Sequence, residues 1–173
     1  MALETQQFEF IGKCFRTKLH PAVPGLKVLY GKNEHPVDVL RFTEVLRDGE
    51  WHKLDNATTI NEHLKDPAKI IPPLMLLEEM VRLVKGINFG FLSDWEGARV
   101  PQRFITQSKT VTSQYNEPII SNLIQADKAT LMELETHYST EDAFKLFDIV
   151  LVDTINKAYA NEDAQKAAKK NRK

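Results

Sequence analysis

The five histidines are the first candidates for acid–base or metal chemistry, and their spacing argues against both. They are His20, His35, His52, His63 and His137. No two are three or four residues apart, so no helix presents two imidazoles to one metal ion. The chain also lacks the GxSxG, HExxH and GxxxxGK[ST] motifs of hydrolases, zinc peptidases and nucleotide-binding loops. We therefore expect each histidine on the surface or in a turn, and we predict no metal and no cofactor.

Two carboxylates in the stretch SDWEG, Asp94 and Glu96, are the remaining candidates for catalysis. A pair of carboxylates can divide the roles of general acid and general base. On a polar segment, however, such residues are typical of solvent-facing turns. We therefore predict no catalytic residues and expect that the protein is not an enzyme.

Basic and aromatic residues occur together in one internal segment and in the C-terminal tail. The segment contains Arg99, Arg103 and Lys109 near Trp95, Phe104 and Tyr115, and the tail contains Lys166, Lys169, Lys170, Arg172 and Lys173. Such mixtures bind single-stranded nucleic acid. Cations at a helix C-terminus also complement its dipole, by about 0.3–1 kcal/mol each. The formal charge of -1 further excludes a globally basic surface, so we favour a solvated tail over a nucleic-acid site.

Composition is typical of one compact domain. A chain of 173 residues with 42% hydrophobic residues buries roughly 70% of its unfolded surface and needs no disulfide or metal to hold a core. Cys14 is the single cysteine, which favours a reducing compartment. We expect no signal peptide in MALETQQFEF and no membrane span, because no stretch approaches about 20 uncharged residues.

Residues 1–70 are predicted to form a small mixed β/α region. The stretch FEFIGKCF alternates apolar with polar residues, and short extended pieces are expected from residue 7 to 30. A short helix is expected within 36–46, followed by a turn at RDGE. Thr58 or Thr59 is expected to cap a further short helix.

Residues 71–173 are predicted to form a helical region, with a helical core from about residue 72. In IIPPLMLLEEMVRLVKG, paired prolines suit a first turn and Gly86 suits a helix end. One face carries Leu74, Leu77, Val81 and Val84, and Leu76, Met80 and Leu83 widen it. A stripe this wide predicts a central helix buried on more than one side. Residues 87–117 are expected to be a long irregular connection.

The C-terminal helices carry clear capping signals and the most apolar pattern of the chain. A helix is expected from Pro118, a capping box at Thr130 and Glu133, and a Ser139 cap on the longest helix. That helix has apolar residues on two sides in its first half and on one narrower stripe beyond, so the first half is predicted to be core. The narrower stripe suits a partner helix. The predicted partner-binding residues are Leu151, Ile155, Ala158 and Tyr159.

The C-terminal half resembles small proteins encoded in the tail-assembly region of tailed bacteriophages. The resemblance lies in the ATLMELETHYS helix, the STEDAF entry into the long helix, and the earlier IIPPLMLLEEMVRLVKG helix. It implies a tail assembly chaperone, which would bind the long, helical, aggregation-prone tape measure protein in the host cytoplasm. That family has no catalytic residues, so none are carried over.

The sequence therefore predicts a mainly α protein with a small N-terminal β-containing part (α+β). Its predicted role is that of a non-enzymatic phage tail assembly chaperone whose partner is the tape measure or another tail protein, with self-association left open. One alternative is a structural virion subunit, such as a baseplate or tail completion protein. The other is a small DNA-binding regulator.

Overall fold

The protein has an α+β fold, as predicted, in which an N-terminal sheet is followed by a helical C-terminal part. A computed structural model describes residues 3–31, 35–105, 113 and 117–170. The elements in order are β1 (Thr5–Phe10), β2 (Lys13–Lys18), α1 (Ala22–Tyr30), α2 (Pro36–Leu40), β3 (Thr43–Arg47), β4 (Glu50–Lys53), α3 (Ala57–His63), α4 (Pro73–Phe89), α5 (Pro118–Gln125), α6 (Leu131–Thr136) and α7 (Thr140–Lys170). Short 3-10 turns span Gly90–Asp94 and Gln102–Phe104.

The four strands form an antiparallel sheet in the order β1-β2-β3-β4. Two-residue loops join β1 to β2 and β3 to β4. Ile11 and Gly12 in the first, and Asp48 and Gly49 in the second, all have positive φ. Positive φ at both central residues is the requirement of a type I′ hairpin turn, whose twist matches the strands. The turn predicted at RDGE is confirmed.

The sheet has one buried and one open face. Phe15 and Val45 are directly paired and fully buried. Because side chains alternate along a strand, Arg16, Glu44 and Trp51 lie on the opposite, open face. The alternation that was predicted in FEFIGKCF therefore reflects a half-buried antiparallel sheet.

The buried face packs against α3 and α4. The buried cluster consists of Phe15, Val28, Val39, Leu40, Val45, Leu54, Ile60, Leu64, Leu76, Met80 and Val84. Phe8 stacks on Phe15 with a ring-centroid distance of 5.7 Å, and Phe10 meets Phe15 edge-on at 6.3 Å. These ring contacts join β1 to β2, and Leu76, Met80 and Val84 bring the predicted central helix into the same cluster.

Two predictions for the N-terminal region are wrong. Residues 22–30 form the helix α1 rather than extended pieces. The predicted 36–46 helix ends at Leu40, and Thr43–Arg47 is a strand. In both places tertiary packing decides the backbone state, because α1 is buried between two clusters and Thr43 and Val45 fill the inner face of the sheet.

The central helix exists but differs from its prediction at both ends. Gly86 does not end it, because α4 continues to Phe89 and Asn88 is buried within the last turn. Asn88 Nδ2 donates to Val84 O at 2.9 Å, and His20 N donates to Asn88 Oδ1 at 2.7 Å. These bonds extend the helix past the glycine. At the other end, Leu74 is 65% exposed, so the predicted burial of the apolar stripe is wrong there.

The helix caps follow the predicted chemistry at two of three places. Thr130 and Glu133 form a complete capping box. Ser139 Oγ accepts from Asp142 N at 3.1 Å, and Ser139 N donates to Asp142 Oδ2 at 3.0 Å. The cap of α3 is Asn56, whose Oδ1 accepts from Thr59 N at 3.0 Å, rather than Thr58 or Thr59.

A second buried cluster joins α1, α5, α6 and the start of α7. It consists of Ala22, Val23, Leu26, Ile120, Leu123, Ala129, Leu134, Ala143 and Phe144. Since Val28 of α1 belongs to the first cluster, α1 connects the sheet to the helical part. The second half of α7 extends away from this cluster, and no residue beyond Phe144 is buried among the described residues of α7.

Within the described ranges, no helix combines the length and the apolar character that a membrane crossing requires.

Candidate functional site

Two of the five histidines are not where they were expected. His20 and His63 are buried, so the expectation that every histidine lies on the surface or in a turn is wrong. The rings of His52 and His63 stack at 5.2 Å. The described part of the chain contains no group of three or more His, Cys, Asp or Glu side chains arranged to hold a metal ion. Asp94 and Glu96 are exposed.

A groove of about 870 Å³ lies on the open face of the sheet. Its lining pairs opposite charges: Arg16 Nε lies 2.6 Å from Glu44 Oε2, and the Arg16 guanidinium lies 4.2 Å from the centre of the Trp51 ring. A second cation–aromatic contact lies in the groove itself, where the Arg41 guanidinium carbon is 5.2 Å from the centre of the Phe42 ring. Lys18, Arg41 and Lys53 also line the groove, and none of the three forms an ion pair among the described residues.

The segment 95–104 packs on α7 at two places. Trp95 meets Phe144 with ring centroids 5.7 Å apart, and Ala98 N donates to Asp148 Oδ1 at 2.5 Å. Farther along, Phe104 meets Tyr159 at 5.1 Å. Arg103 Nε lies 3.3 Å from Glu162 Oε2. Lys109, Tyr115, Arg172 and Lys173 lie outside the described residues.

Three of the four predicted partner-binding residues of α7 lie between these two attachments, and the fourth, Tyr159, belongs to the second attachment. At 100° per residue, Asp148, Leu151, Ile155, Ala158, Tyr159 and Glu162 share one face of the helix. Leu151, Ile155 and Ala158 are half-buried, and Tyr159 is 40% exposed. Since the segment 95–104 contacts both ends of this face, a partner helix would compete with it. The assignment of these four residues to partner binding stays a prediction.

The most exposed group of apolar side chains lies instead at the start of α4. We call Ile70, Ile71, Leu74 and Met75 the apolar patch. Their exposed fractions are 80%, 41%, 65% and 58%. Isolated exposed apolar residues are ordinary, but adjacent ones on a single surface mark binding sites. Sequence reasoning placed Leu74 in the core and therefore missed this surface.

The backbone beneath the apolar patch is fixed by hydrogen bonds. The Asp66 carboxylate accepts from Ala68 N at 2.9 Å, from Ile70 N at 2.8 Å and from Ile71 N at 3.0 Å. These backbone donors, Ile71 foremost, hold the pKa of Asp66 below its usual range. Pro72 and Pro73 then restrict φ where the helix begins. Ile70 and Ile71 are thus held outward on an ordered turn.

A cleft of about 400 Å³ adjoins the apolar patch. It is lined by Ile60, Asn61, Leu64, Lys65, Pro73, Leu74 and Leu77. Lys65 lines the cleft and Lys69 directly precedes Ile70 in the chain. Both are exposed, and neither forms an ion pair among the described residues. The surface thus combines apolar side chains, a shallow cleft and a positive rim.

One sequence signal could have indicated this surface. In DPAKIIPPLM, two isoleucines precede two prolines. Ile70 and Ile71 come before the first helical turn, where no helical face exists to bury them. An aspartate four and five residues before them is also suited to cap the turn with its carboxylate. Comparison with protein-family models, curated proteins and solved structures finds no match for the chain.

Proposed function

We propose that the protein is a non-enzymatic tail assembly chaperone that binds an apolar helical stretch of the tape measure protein. The observation that carries the proposal is the apolar patch, which is exposed on a backbone that Asp66 and two prolines hold in place. Burial of one large apolar side chain contributes about 1.5–3 kcal/mol. A rigid surface also loses little entropy when a partner binds it.

The charges beside the apolar patch suggest the chemistry of the bound segment. Lys65 in the cleft and Lys69 next to Ile70 in the chain have no acidic partners among the described residues. An amphipathic helix would place its apolar residues on the patch and in the adjoining cleft, with acidic residues toward the two lysines. Opposite charges at the rim would set the orientation and speed the association more than they raise affinity.

The face of α7 that carries Leu151, Ile155 and Ala158 could provide a second contact with the same partner. A long partner helix presents apolar residues over many turns, so it can occupy more than one surface. Binding at Leu151, Ile155 and Ala158 requires the 95–104 segment to leave its contacts at Tyr159 and Glu162. The apolar patch needs no such displacement, so we assign the first contact to it.

Co-expression with the tape measure protein tests the proposal. We expect the wild-type protein to keep that partner in the supernatant and to purify with it, but to be missing from finished phage particles. The double variant Leu74→Glu, Met75→Glu is expected to lose the complex. Both substitutions lie in the first turn of α4, where added acidic residues suit the helix dipole, so the fold is expected to persist.

The chain offers a matched control for this variant. Leu131 and Met132 are the same two residue types, are also exposed, and also lie in the first turn of a helix. Leu131→Glu, Met132→Glu should leave the complex intact. Equal loss in both variants, or none in either, contradicts a role for the apolar patch. Recovery of the protein from finished particles would instead favour a structural virion subunit.

A further inference from the structure

Strand β1 forms an open edge of the sheet. It pairs with β2 on one side, and the described residues supply no strand on the other. Unpaired backbone groups along such an edge are a template for another strand. Most natural edges are therefore shortened, charged or interrupted.

The hydrogen-bonding pattern identifies which groups of β1 are free. Phe10 and Lys13 flank the two-residue turn and form a hydrogen-bonded pair, and antiparallel pairs alternate along the strand. Phe10, Phe8 and Gln6 thus direct their N–H and C=O groups toward β2. Thr5, Gln7 and Glu9 direct theirs outward. Outside strand pairing, no backbone bond of these three residues occurs within the described chain.

Edge protection is weak along β1. The strand has six residues, TQQFEF, with no proline and no lysine, and Glu9 is its single charge. The opposite edge, β4, has four residues and is charged at both ends by Glu50 and Lys53. Phe8 and Phe10 are only half-buried, although both pack on the core. The apolar layer is therefore incompletely covered on the β1 side.

We propose that β1 pairs with β1 of a second copy of this chain, giving one continuous antiparallel sheet across a two-fold axis. With Gln7 opposite Gln7 of the second copy, Thr5 pairs with Glu9 in both directions. This register uses all the outward N–H and C=O groups of the three residues. It places no like charges opposite each other, and it brings the two Phe8 rings into diagonal neighbour positions.

Self-complementarity is the reason to assign a second copy rather than an unrelated peptide. An isologous interface must match itself, and TQQFEF meets that condition in the register centred on Gln7. The half-buried Phe8 and Phe10 of each copy would be covered by the other copy's strand. A single pair of six-residue strands is at the low end of interface size, so we expect a dimer that dissociates in the micromolar range. This inference is independent of the proposed function.

Sedimentation of the protein over a range of concentrations tests the pairing. We expect the wild-type mass to rise toward twice the monomer mass as concentration increases. Gln7→Lys places two ammonium groups opposite each other at the axis and should weaken the dimer roughly tenfold or more. Gln7→Glu should do the same. A mixture of the two variants should recover dimer, because lysine then faces glutamate.

Gln125→Lys is the matched control, since Gln125 is exposed at the end of α5, away from the sheet; it should dimerise as the wild type does. A double variant, Gln7→Cys with Cys14→Ser, tests the pairing without adding charge. Oxidation should link its two copies by a disulfide between the cysteines at position 7. A wild-type protein that stays monomeric at high concentration overturns the inference. So does a dimer that neither charged variant weakens.

Discussion

Replacing Gly25 with alanine is expected to destabilise the protein by about 2–3 kcal/mol, the upper part of the range for overpacked cores. Gly25 lies in α1 where that helix crosses the start of α7. A Cβ atom there would overlap Thr140 Oγ1 and would approach both Thr140 Cβ and His20 Cβ to 3.2 Å. Since α1 joins the two core clusters, the strain would act on both.

Gly86→Ala is the matched control for this substitution. Gly86 also lies inside a helix, but nothing is within 4 Å of an added Cβ. Alanine favours a helix over glycine by about 0.8–1 kcal/mol, so Gly86→Ala should raise the free energy of unfolding. Urea titration of both variants measures the two effects. Similar values for the two would contradict the close packing assigned to Gly25.

A second substitution locates the strain at Gly25. Thr140→Ala removes the Oγ1 atom that an added Cβ would overlap. In the Thr140→Ala background, Gly25→Ala is therefore expected to cost less than it does in the wild type. The difference, measured as a double-mutant cycle, is the coupling between the two positions. Additive effects would indicate that the overlap is relieved elsewhere.

Acidification is expected to remove about 3 kcal/mol of stability through His20 alone. The pKa of His20 is lowered from 6.5 to about 4. Burial is the main cause, the charge of Arg41 adds to it, and the hydrogen bond to Val39 acts against it. The unfolded chain takes up the proton first as pH falls. Stability is thus fully present above pH 6.5 and declines as pH falls toward 4, by about 1.36 kcal/mol for each unit of pKa difference.

The surroundings of His20 explain why its neutral form is required. The imidazole lies against Phe42 and Phe89, with ring-centroid distances of 5.1 and 6.0 Å. Nε2 lies 3.0 Å from Val39 O, so the neutral ring donates from Nε2. Nδ1 is buried with no hydrogen-bond partner within the described chain. A second proton would therefore place a charged donor where nothing accepts it.

Unfolding measured between pH 7 and pH 4.5 tests this assignment. His20→Gln keeps an N–H donor for Val39 O but has no proton to gain, so its stability should vary less with pH than that of the wild type. Burial also lowers the pKa of His63. The stability of His20→Gln should therefore still fall with pH, but less steeply than that of the wild type. An unchanged slope in His20→Gln would contradict the role of His20.

The fold class followed from local patterns, and the errors arose where packing overrides them. The capping box at Thr130 and the hairpin at Asp48 and Gly49 are set by neighbouring residues, so the sequence predicts them. The state of residues 22–30 depends on contacts with Thr140 and Tyr138, more than a hundred residues away. No local periodicity contains that information.

The candidate site was harder to predict because the exposure of an apolar side chain depends on how the chain packs around it and not on its residue type. Leu74 and Leu77 both fit the apolar stripe of α4, yet only Leu77 packs against the core. Leu74 lies in the first turn of α4, where it is 65% exposed. For α7, the assignment of the stripe to partner binding stays a prediction, and the 95–104 segment that contacts the stripe is irregular and has no periodic signal.

Hydrogen exchange in the complex with the tape measure protein tests the central claim most directly. Backbone amides of residues 70–77 should exchange more slowly in the complex than in the free protein, because the partner covers the apolar patch and its cleft. Slower exchange at residues 151–159 would add the α7 face as a second contact. Unchanged exchange at residues 70–77 in a formed complex would contradict the account.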